Sequence, residues 1–519
     1  MANISIPVLS PAESAAWDRL AESAGIDPAT LMETAGRAAA AVVADRFGPA
    51  LGRGVLIAAG PGNNGGDGWV VARALHRVGV PVWVASAPGE GSPLRRRMAA
   101  LARSLGVREV PPDGPWPSVG LAVDALLGTG ASGAPRPAIA ELLERLMDLS
   151  VPIVAIDGPT GVDLESGTVH GSPRADLTVT FGGLRRGHLL ARDEVGDVAV
   201  VDIGHPPAVP EWPALVTDLQ AAEWLPGLRA ADHKGVRGRI VAAGGHTGMS
   251  GALRLAGRAA FAAGAGLVHA VAPPDTVAAL MQAEPDLLTF PHPFEQPPPA
   301  PLLDLVARAD ALIVGPGLGR APGRRELVTA LVERAAAAVL DADALVAFQG
   351  CTGELARLAR GRRLVLTPHP GEFRTLFPAL AARREVDPWG AAEAAAAEVE
   401  CTVLLKGVPT VIATPGRPLA TVAAGNPGLA TGGSGDVLSG LIGAALARGL
   451  APEVAAPLGA QILGRAADLA ARRVTARSLR PMDVIAALPD LWREWEVLRV
   501  ARPAPRPPVL LELRRPQVV

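Results

Sequence analysis

Short apolar runs recur along the N-terminal part of the chain, and stretches with helical character separate them. The runs that predict strands cover residues 55–59, 80–85, 121–126, 151–156, 178–181 and 198–203. Strands that alternate with helices favour a parallel sheet with crossover helices. Ligands of such open sheets bind beyond the carboxyl ends of the strands, so we expect a site at that edge.

A second alternating series begins near residue 238. Its predicted strands cover residues 238–243, 266–271, 311–315, 338–341, 364–367 and 402–406. The motifs of the two series differ in order and content, so the halves are not repeats, and the fold class is α/β with two domains. Segment 207–226 between the two series is typical of a linker or a short capping helix. We therefore predict a first domain over residues 1–212, a linker over 213–229, a second domain over 230–495 and a proline-rich tail over 496–519.

Composition and charge narrow the classes of function. The 519 residues carry a net charge of −2, so the chain has no broad basic surface for nucleic acid. Only 3% of the residues are aromatic and none is tyrosine, so stacking on aromatic rings is not the main way in which the protein holds bases. Cys351 and Cys401 form neither a disulfide framework nor a zinc motif. The most apolar window contains Arg254 and Arg258, and the first residues lack a signal-like pattern. We expect a cytoplasmic protein that binds no nucleic acid and no membrane.

A glycine-rich turn follows the first strand of the first series. Residues 60–68 read G-P-G-N-N-G-G-D-G, and a helical pattern follows them. Free backbone N–H groups at such a helix start face an anion, for example a phosphate. Asn63 and Asn64 either cap the helix or bind a ligand or a cation through their amide groups.

Two further strand ends of the first series carry aspartate. Asp124 precedes the segment G-T-G, and Asp157 opens the segment D-G-P-T-G, which contains Thr160. Aspartate after a strand is often only a turn former. Because the carboxyl ends of parallel strands meet at one edge, we expect carboxylate, hydroxyl and amide oxygens from these strand ends to converge on one monovalent cation.

These elements together resemble the NAD(P)HX epimerase family, whose signature combines the nine-residue turn with V-D-A-x-x-G-T-G and D-x-P-S-G strand ends. The resemblance covers roughly residues 10–206 and implies a Rossmann-like three-layer sandwich that holds a hydrated nicotinamide nucleotide. It implies that Asp157 lies beside the reacting ring as a catalytic residue, and that Asn64, Asp124 and Thr160 hold a potassium ion. The residues implied to contact the nucleotide are Asn63, Asn64, Gly65, Gly66, Asp67, Gly128, Thr129, Gly130, Ala131, Ser132, Gly133, Ala134 and Asp157.

One position departs from the pattern of that family. Residues 180–187 read T-F-G-G-L-R-R-G, with Arg185 where the family usually has lysine. Arginine keeps the positive charge but does not lose a proton at working pH. If the lysine amine exchanges protons in the family, epimerisation is impaired here; if lysine supplies only charge, Arg185 suffices.

A second glycine-rich segment lies in the second half of the chain. Residues 430–440 read A-T-G-G-S-G-D-V-L-S-G. Glycines let the backbone approach an oxyanion closely, and a helix N-terminus adds positive potential. Asp436 then lies within reach of a substrate hydroxyl that attacks a terminal phosphate, although aspartate at this place is otherwise a common helix cap. The chain has no G-x-x-x-x-G-K-[ST] loop, so its phosphate chemistry differs from that of P-loop proteins.

The second half resembles the ribokinase-like superfamily and, more narrowly, the ADP-dependent NAD(P)HX dehydratases. The resemblance covers about residues 230–490. It rests on ordered motifs, namely H-K-G at 233–235, G-G at 244–245, G-A at 251–252, G-P-G-L-G at 315–319, D-A-D-A-L at 341–345, T-P-H-P-G-E at 367–372, K-G at 406–407 and N-P-G at 426–428. Val346 and Leu463 replace an asparagine and a histidine of the family, outside the phosphate-transfer core.

This second resemblance implies a ribokinase-like α/β domain with two neighbouring subsites. Asp436 is implied as the catalytic base. The residues implied to line the hydrated dinucleotide are Ala252, Gly317, His369 and Asp436. Those implied to hold the adenine nucleotide are Lys406, Gly407, Val408, Pro409, Thr410 and Gly435.

Together the resemblances imply a bifunctional repair enzyme. One domain would interconvert the R and S epimers of hydrated NADH and NADPH (NADHX and NADPHX), and the other would dehydrate the S epimer with ADP, releasing AMP and phosphate. Potassium in the first domain and Mg²⁺ with ADP in the second are the implied cofactors, and we expect a homo-oligomer. The alternative is a ribokinase-like small-molecule kinase with a non-catalytic N-terminal ligand-binding domain. The N-N-G-G-D turn and Asp157 speak against it, because a kinase needs neither.

Overall fold

The computed structural model describes residues 5–502 and 506–516, which divide into two compact units. Unit 1 contains residues 5–213 and 506–515, and unit 2 starts at Ala214. The segment 213–229, which the sequence predicts to be a linker, is not free chain. It begins unit 2 with a short strand and a helix, because Leu215, Ala221 and Ala222 are buried.

Helices and strands alternate in unit 1, as the apolar runs predict. The strands are β1 (Ile6–Leu9), β2 (Val55–Ala59), β3 (Val82–Ser86), β4 (Arg108–Val110), β5 (Leu121–Ala125), β6 (Ile153–Ile156), β7 (Leu177–Phe181), β8 (Leu184–Arg185) and β9 (Asp197–Val201). The helices are α1 (Pro11–Ser23), α2 (Pro28–Leu51), α3 (Asn63–Arg77), α4 (Pro93–Ser104), α5 (Pro137–Asp148), α6 (Arg186–Leu190) and α7 (Arg192–Val195).

The main sheet of unit 1 is parallel from β9 to β4, in the order β9-β7-β6-β5-β2-β3-β4, and β1 pairs separately with β8. Alternate residues of β2 enter different apolar clusters. Val55 and Ile57 pack with residues of α2 and α3, whereas Leu56 and Ala58 pack with residues of α5. Helices therefore cover both faces of the sheet, which confirms the three-layer sandwich.

Unit 2 repeats this alternation over a longer chain. Its strands are β10 (Ala214–Leu215), β11 (Arg239–Ala243), β12 (Leu267–Ala272), β13 (Leu288–Pro291), β14 (Ala311–Val314), β15 (Ala337–Leu340), β16 (Arg363–Leu366), β17 (Thr402–Leu405), β18 (Thr410–Ala413) and β19 (Ala420–Val422). Its helices are α8 (Asp218–Trp224), α9 (Ser250–Ala262), α10 (Pro274–Ala283), α11 (Ala300–Ala307), α12 (Arg324–Val332), α13 (Asp343–Val346), α14 (Thr352–Ala359), α15 (Pro370–Leu376), α16 (Ala381–Val386), α17 (Pro388–Val399), α18 (Ser434–Ala447), α19 (Pro452–Ser478) and α20 (Pro481–Ala501), with short 3₁₀ helices at Pro378–Leu380 and Pro427–Leu429.

The unit 2 sheet runs in the order β13-β12-β11-β14-β15-β16-β17-β18-β19-β10. It is parallel from β13 to β17, and the β17–β18 and β18–β19 pairs are antiparallel. Glycine lets α18 approach its neighbours: a Cβ on Gly440 would lie 2.3 Å from the carbonyl oxygen of Ala256 in α9. The α/β fold class predicted from the sequence is confirmed in both units.

The predicted proline-rich tail is corrected by the structure. Residues 496–501 continue α20, and Val509–Leu513 form a strand, here named the C-terminal strand, which pairs antiparallel with the edge strand β9 of unit 1. The proline run ends at Pro508, so every later residue of this strand has an N–H group for the ladder. Arg514 adds an ion pair to Asp197 at 2.9 Å. Among the described residues, no helix combines the length and apolarity needed to cross a membrane.

Candidate functional site

The first glycine-rich turn is packed too tightly for side chains at two of its positions. A Cβ on Gly60 would lie 1.8 Å from the carbonyl oxygen of Leu126, and one on Gly65 would lie 2.0 Å from that of Gly60. The helix α3 starts directly in the turn, with Gly62 as its N-cap and no side-chain cap. Asn63 and Asn64 therefore do not cap the helix, and the amides of its first turn remain available for an anion.

The two asparagines of the turn have different surroundings. The Asn63 side-chain oxygen accepts a hydrogen bond from the Ser92 hydroxyl at 2.7 Å. Both polar side-chain atoms of Asn64 are buried, and neither has a hydrogen-bond partner among the described residues. Burying an amide without hydrogen-bond partners costs free energy, so a bound ligand or cation at Asn64 would offset that cost.

The structure brings Asp124 and Thr160 into direct contact. The fully buried Asp124 carboxylate accepts hydrogen bonds from the Thr160 backbone N–H at 2.7 Å, the Thr160 hydroxyl at 2.8 Å and the Leu126 N–H at 3.1 Å. Burial raises the pKa of Asp124, against the effect of these hydrogen bonds. Together with the unpartnered amide of Asn64, the donor set consists of oxygens, which hard cations prefer.

Asp157 directly follows β6. Its backbone is left-handed (φ +65°), a conformation that residues other than glycine rarely adopt. Its carboxylate accepts hydrogen bonds from the Thr129 N–H at 2.7 Å and the Thr129 hydroxyl at 2.5 Å, and Arg185 lies 3.6 Å away. Burial pushes the pKa of Asp157 up, but the Arg185 charge and the Thr129 hydrogen bonds outweigh it, so that the pKa lies below its usual range. Asp157 is therefore ionised at neutral pH.

Arg185 and His188 complete this network. The Arg185 side chain donates to the Thr129 hydroxyl at 3.1 Å and to the Gly183 carbonyl at 2.9 Å. The fully buried His188 accepts the Arg185 backbone N–H at Nδ1 (3.0 Å), so that Nε2 carries the hydrogen donated to the Asp157 carbonyl at 2.6 Å. Burial lowers the pKa of His188 to about 4, which keeps the ring neutral. No motif in the sequence pointed to His188.

Of the other residues predicted for this site, Gly128 and Asp67 lie near Asp157. A Cβ on Gly128 would lie 2.8 Å from the Asp157 carboxylate and 3.2 Å from Cγ of Asn64, so both side chains converge on this glycine. Burial, with the nearby charges of Asp157 and Asp18, raises the pKa of Asp67 well above its usual value. The rest of the predicted loop continues at the surface through Gly130, Ala131, Ser132, Gly133 and Ala134.

The second glycine-rich segment opens α18 in unit 2. Its N-cap is Gly433 in a left-handed conformation (φ +99°), and Asp436 is the third residue of the helix. Within residues 5–502 and 506–516 the Asp436 carboxylate accepts no hydrogen bond, so it is not a cap. Burial, and then the charge of Asp341, raises the pKa of Asp436 to about 7, although Lys406 acts in the opposite direction.

Asp341 and Lys406 form an ion pair beside this helix start. The Lys406 ammonium lies 2.6 Å from Asp341, and the carboxylate also accepts the hydroxyls of Ser439 and Thr367 at 2.7 and 2.8 Å. A Cβ on Gly435 would lie 3.2 Å from the Lys406 ammonium, so the glycine leaves that cation open to a ligand. Asp341 is not among the site residues that the sequence predicts, although it ends the predicted strand 338–341 and opens the motif D-A-D-A-L, which is the signal that could have identified it.

Of the predicted dinucleotide residues of unit 2, Gly317 lies in a loop, and the others lie at the starts of three helices, namely Ala252 in α9, His369 before α15 and Asp436 in α18. A Cβ on Gly317 (φ +60°) would lie 3.2 Å from Cβ of Ala252. His369 caps α15 through Nδ1, which accepts the Gly371 N–H at 3.0 Å, and its Nε2 lies 3.2 Å from Glu372. Burial, and then the charge of Lys406, lowers the pKa of His369, while burial raises the pKa of Glu372 to about 6.

The predicted adenine-nucleotide segment is the connection between β17 and β18, which includes Lys406, Gly407, Val408 and Pro409 and ends with Thr410 at the start of β18. Val408 is 73% exposed, and the Thr410 hydroxyl donates to the Gly407 carbonyl at 3.2 Å. Among the described residues no group of three or more histidine, cysteine or carboxylate side chains is arranged to hold a metal ion.

Fold and sites define a two-domain α/β enzyme with one glycine-rich ligand site in each domain. Residues 28–187 match the family model described as YjeF-related protein N-terminus, and residues 240–490 match that of NAD(P)H-hydrate dehydratase. The chain is 36% identical to the bifunctional NAD(P)H-hydrate repair enzyme Nnr of Moorella thermoacetica, over 94% of this chain and 97% of that protein. It is also 36% identical to the Escherichia coli enzyme of the same name, over 90% of each chain. The chain belongs to the family of bifunctional NAD(P)H-hydrate repair enzymes.

A solved structure of the ADP/ATP-dependent NAD(P)H-hydrate dehydratase from Bacillus subtilis, co-crystallised with ATP and Mg²⁺, is also similar. It is 26% identical and covers 54% of this chain and 97% of its own, with a TM-score of 0.46.

Proposed function

We propose that unit 1 interconverts the R and S epimers of hydrated NADH and NADPH, and that unit 2 dehydrates the S epimer with ADP, releasing AMP and phosphate. The observation that carries the proposal is the environment of Asp436. Its carboxylate has no hydrogen-bond partner among the described residues, lies at a glycine-rich helix start and has a pKa raised to about 7. Such a group can accept a proton at neutral pH. The similarity to repair enzymes over both units supports the pairing of the two activities.

The chemistry of unit 2 is a phosphoryl transfer followed by an elimination. Asp436 takes the proton of the C6 hydroxyl while the hydroxyl oxygen attacks the β-phosphorus of ADP; the new O–P bond forms as the bond to AMP breaks. The ring nitrogen lone pair then expels phosphate from C6, and loss of the C5 proton restores the reduced nicotinamide. Hydroxide is a poor leaving group, so the phosphate ester is what makes the elimination feasible.

The neighbours of Asp436 supply charge and positioning for this transfer. Amides at the start of α18 and the Lys406 ammonium face the site where negative charge develops on the phosphoryl oxygens. The ion pair with Asp341 fixes the Lys406 ammonium in place. We assign the adenine nucleotide to Lys406, Gly407, Val408, Pro409, Thr410 and Gly435, and the hydrated dinucleotide to Ala252, Gly317, His369 and Asp436.

In unit 1, Asp157 is the proton acceptor and Arg185 supplies charge. Arginine does not release its proton at working pH, and Arg185 contacts both Asp157 and Thr129. The environments of Asp157 and Asp67 push the pKa values of these two carboxyl groups apart, because Arg185 and Thr129 lower that of Asp157 and burial raises that of Asp67. This is the arrangement expected of a base and an acid in one site. Epimerisation therefore does not require a lysine at position 185.

The oxygen donors of unit 1 fit a potassium ion. Asn64, Asp124 and Thr160 would hold it, and the unpartnered Asn64 amide is the observation that supports this. When bound, the ion would add positive charge near the phosphates of the substrate. In unit 2, Mg²⁺ would neutralise the phosphates of ADP.

The proposal is tested by supplying each purified epimer of NADHX separately, with and without ADP, and following the absorbance of the reduced nicotinamide. We expect recovery from both epimers with ADP, faster from the R epimer than its uncatalysed epimerisation allows, and none without ADP. Recovery from the S epimer alone would contradict the proposed epimerase activity of unit 1. No recovery, together with phosphorylation of a small-molecule alcohol, would favour the kinase alternative. Homo-oligomeric assembly and a cytoplasmic location stay predictions.

A further inference from the structure

A buried arginine at the start of α4 in unit 1 has no ion-pair partner among the described residues. Arg95 is only 6% exposed, and its Nε atom is buried without a hydrogen-bond partner. The other arginines of α4 are exposed, and two of them form ion pairs: Arg96 with Glu90 at 3.1 Å and Arg103 with Glu109 at 2.8 Å. Burial together with a missing ion pair distinguishes Arg95 from them.

Arg95 also lies at a helix N-terminus, where a buried cation without an anion is unfavourable. It is the third residue of α4, whose N-cap is Ser92, and its side chain folds back so that a Cβ on Gly91 would lie 3.2 Å from a guanidinium nitrogen. A helix N-terminus carries positive potential, which disfavours a buried cation. Burial, and then the charge of Arg103, lowers the pKa of Arg95, while Glu109 acts in the opposite direction. An anion bound at this helix start would relieve both costs.

This helix start lies beside the first glycine-rich turn. The Ser92 backbone N–H donates to the Pro61 carbonyl at 2.8 Å, and the Ser92 hydroxyl donates to Asn63. In the sheet, Ser86 at the end of β3 is in register with Ala59 at the end of β2, and the Ser86 hydroxyl is buried without a partner. The end of β3 thus presents a hydroxyl without a partner, and the start of α4 presents an arginine without an ion pair among the described residues, both next to the turn.

We propose that Arg95, with Ser86, binds the 2′-phosphate on the adenosine ribose of hydrated NADPH, and so gives unit 1 a preference for NADPHX over NADHX. The inference rests on the proposed epimerase function. The turn at the start of α3 takes the pyrophosphate, and the next strand end in a sheet of this kind meets the ribose, where an arginine accommodates a 2′-phosphate. A phosphate monoester also matches the guanidinium fork better than any uncharged group.

The experiment compares Arg95→Gln with Arg96→Gln, which removes an exposed arginine already paired with Glu90. Epimerisation of the R epimers of NADPHX and NADHX is measured separately, with a dehydratase added in excess so that epimerisation limits the rate. For Arg95→Gln we expect the ratio of kcat/KM for NADPHX over NADHX to fall by about 10- to 100-fold, the effect of losing a charge-assisted contact. The ratio should fall mainly because KM for NADPHX rises, while kcat changes little. Arg96→Gln should keep the wild-type ratio. Ser86→Ala should lower the ratio in the same direction by less.

Other outcomes separate this inference from the proposed function. If Arg95→Gln weakens both substrates equally, the guanidinium serves the pyrophosphate or the fold, and the 2′-phosphate assignment is wrong. If neither kcat/KM value changes, Arg95 binds no phosphate of the substrate. If the wild-type protein epimerises neither substrate, the proposed function of unit 1 is wrong, whatever the role of Arg95. Circular dichroism and thermal unfolding show whether each variant keeps the fold of unit 1.

Discussion

The two glycine-rich sites of this chain hold aspartates with opposite acid–base character. Asp157 in unit 1 receives two hydrogen bonds from Thr129 and the charge of Arg185, and its pKa is lowered. Asp436 in unit 2 has no such partners and several carboxylates nearby, and its pKa is raised to about 7. In both units the glycine-rich segment opens a helix with a glycine as its N-cap, whereas the groups around each aspartate set the pKa of its carboxyl group and so determine whether it can exchange a proton near neutral pH.

The largest expected effect comes from Asp436→Asn, which keeps the shape of the side chain but removes the base. We expect dehydration of S-NADHX to fall by about 1,000-fold, within the range found for general bases. Interconversion of the epimers should continue at the wild-type rate, because it occurs in unit 1. Chiral separation of the epimers over time checks the second part. A comparable loss of both activities would contradict the separation of roles.

The reciprocal change is Asp157→Asn in unit 1. We expect epimerisation to fall by about 100-fold through loss of the proton acceptor, while dehydration of the S epimer stays unchanged. The Thr129 N–H can still donate to the amide oxygen, so the loop keeps its main contact. Substrate that starts as the R epimer should then be recovered only at the uncatalysed rate. Wild-type recovery from that epimer would show that Asp157 is not the base.

The pH dependence of the two activities should differ in the same way as the pKa values. A base with a pKa of about 7 is mostly protonated at pH 6 and mostly ionised at pH 8. Dehydration should therefore rise with pH by about tenfold between these values and level off above them. The lowered pKa of Asp157 keeps this group ionised throughout, so its titration should not change the epimerisation rate in this interval. Initial rates with each epimer as substrate check both profiles.

The smallest effect concerns the cation site of unit 1. Thr160→Val removes the hydroxyl that contacts Asp124, and we expect the potassium concentration for half-maximal epimerisation to rise by about tenfold. Thr160→Ser keeps the hydroxyl and serves as the matched control. Dehydration should show neither change. If both variants need the same potassium concentration for half-maximal epimerisation, the Thr160 hydroxyl does not bind the ion.

The sequence predicted most of the fold because burial of parallel strands leaves a strong signal. Nearly every predicted strand, for example 55–59 and 402–406, lies within two residues of an observed one. The aspartates that follow strands were visible for the same reason. The sequence did not predict the partners of those aspartates, because Thr129, Arg185 and His188 come into contact with Asp157 only when distant segments of the chain pack together. Arg95 has no sequence signal either, because an arginine in the first turn of a helix is usually exposed.

The C-terminal strand has a consequence for biosynthesis. Edge strand β9 of unit 1 receives its antiparallel partner from Val509–Leu513, which the ribosome makes after residues 214–502 of unit 2. Until then the nascent chain exposes an unpaired sheet edge, a kind of surface that promotes aggregation. Translation products that stop short of Val509–Leu513 would keep that edge exposed, so the solubility of unit 1 depends on residues that are translated long after its own sheet.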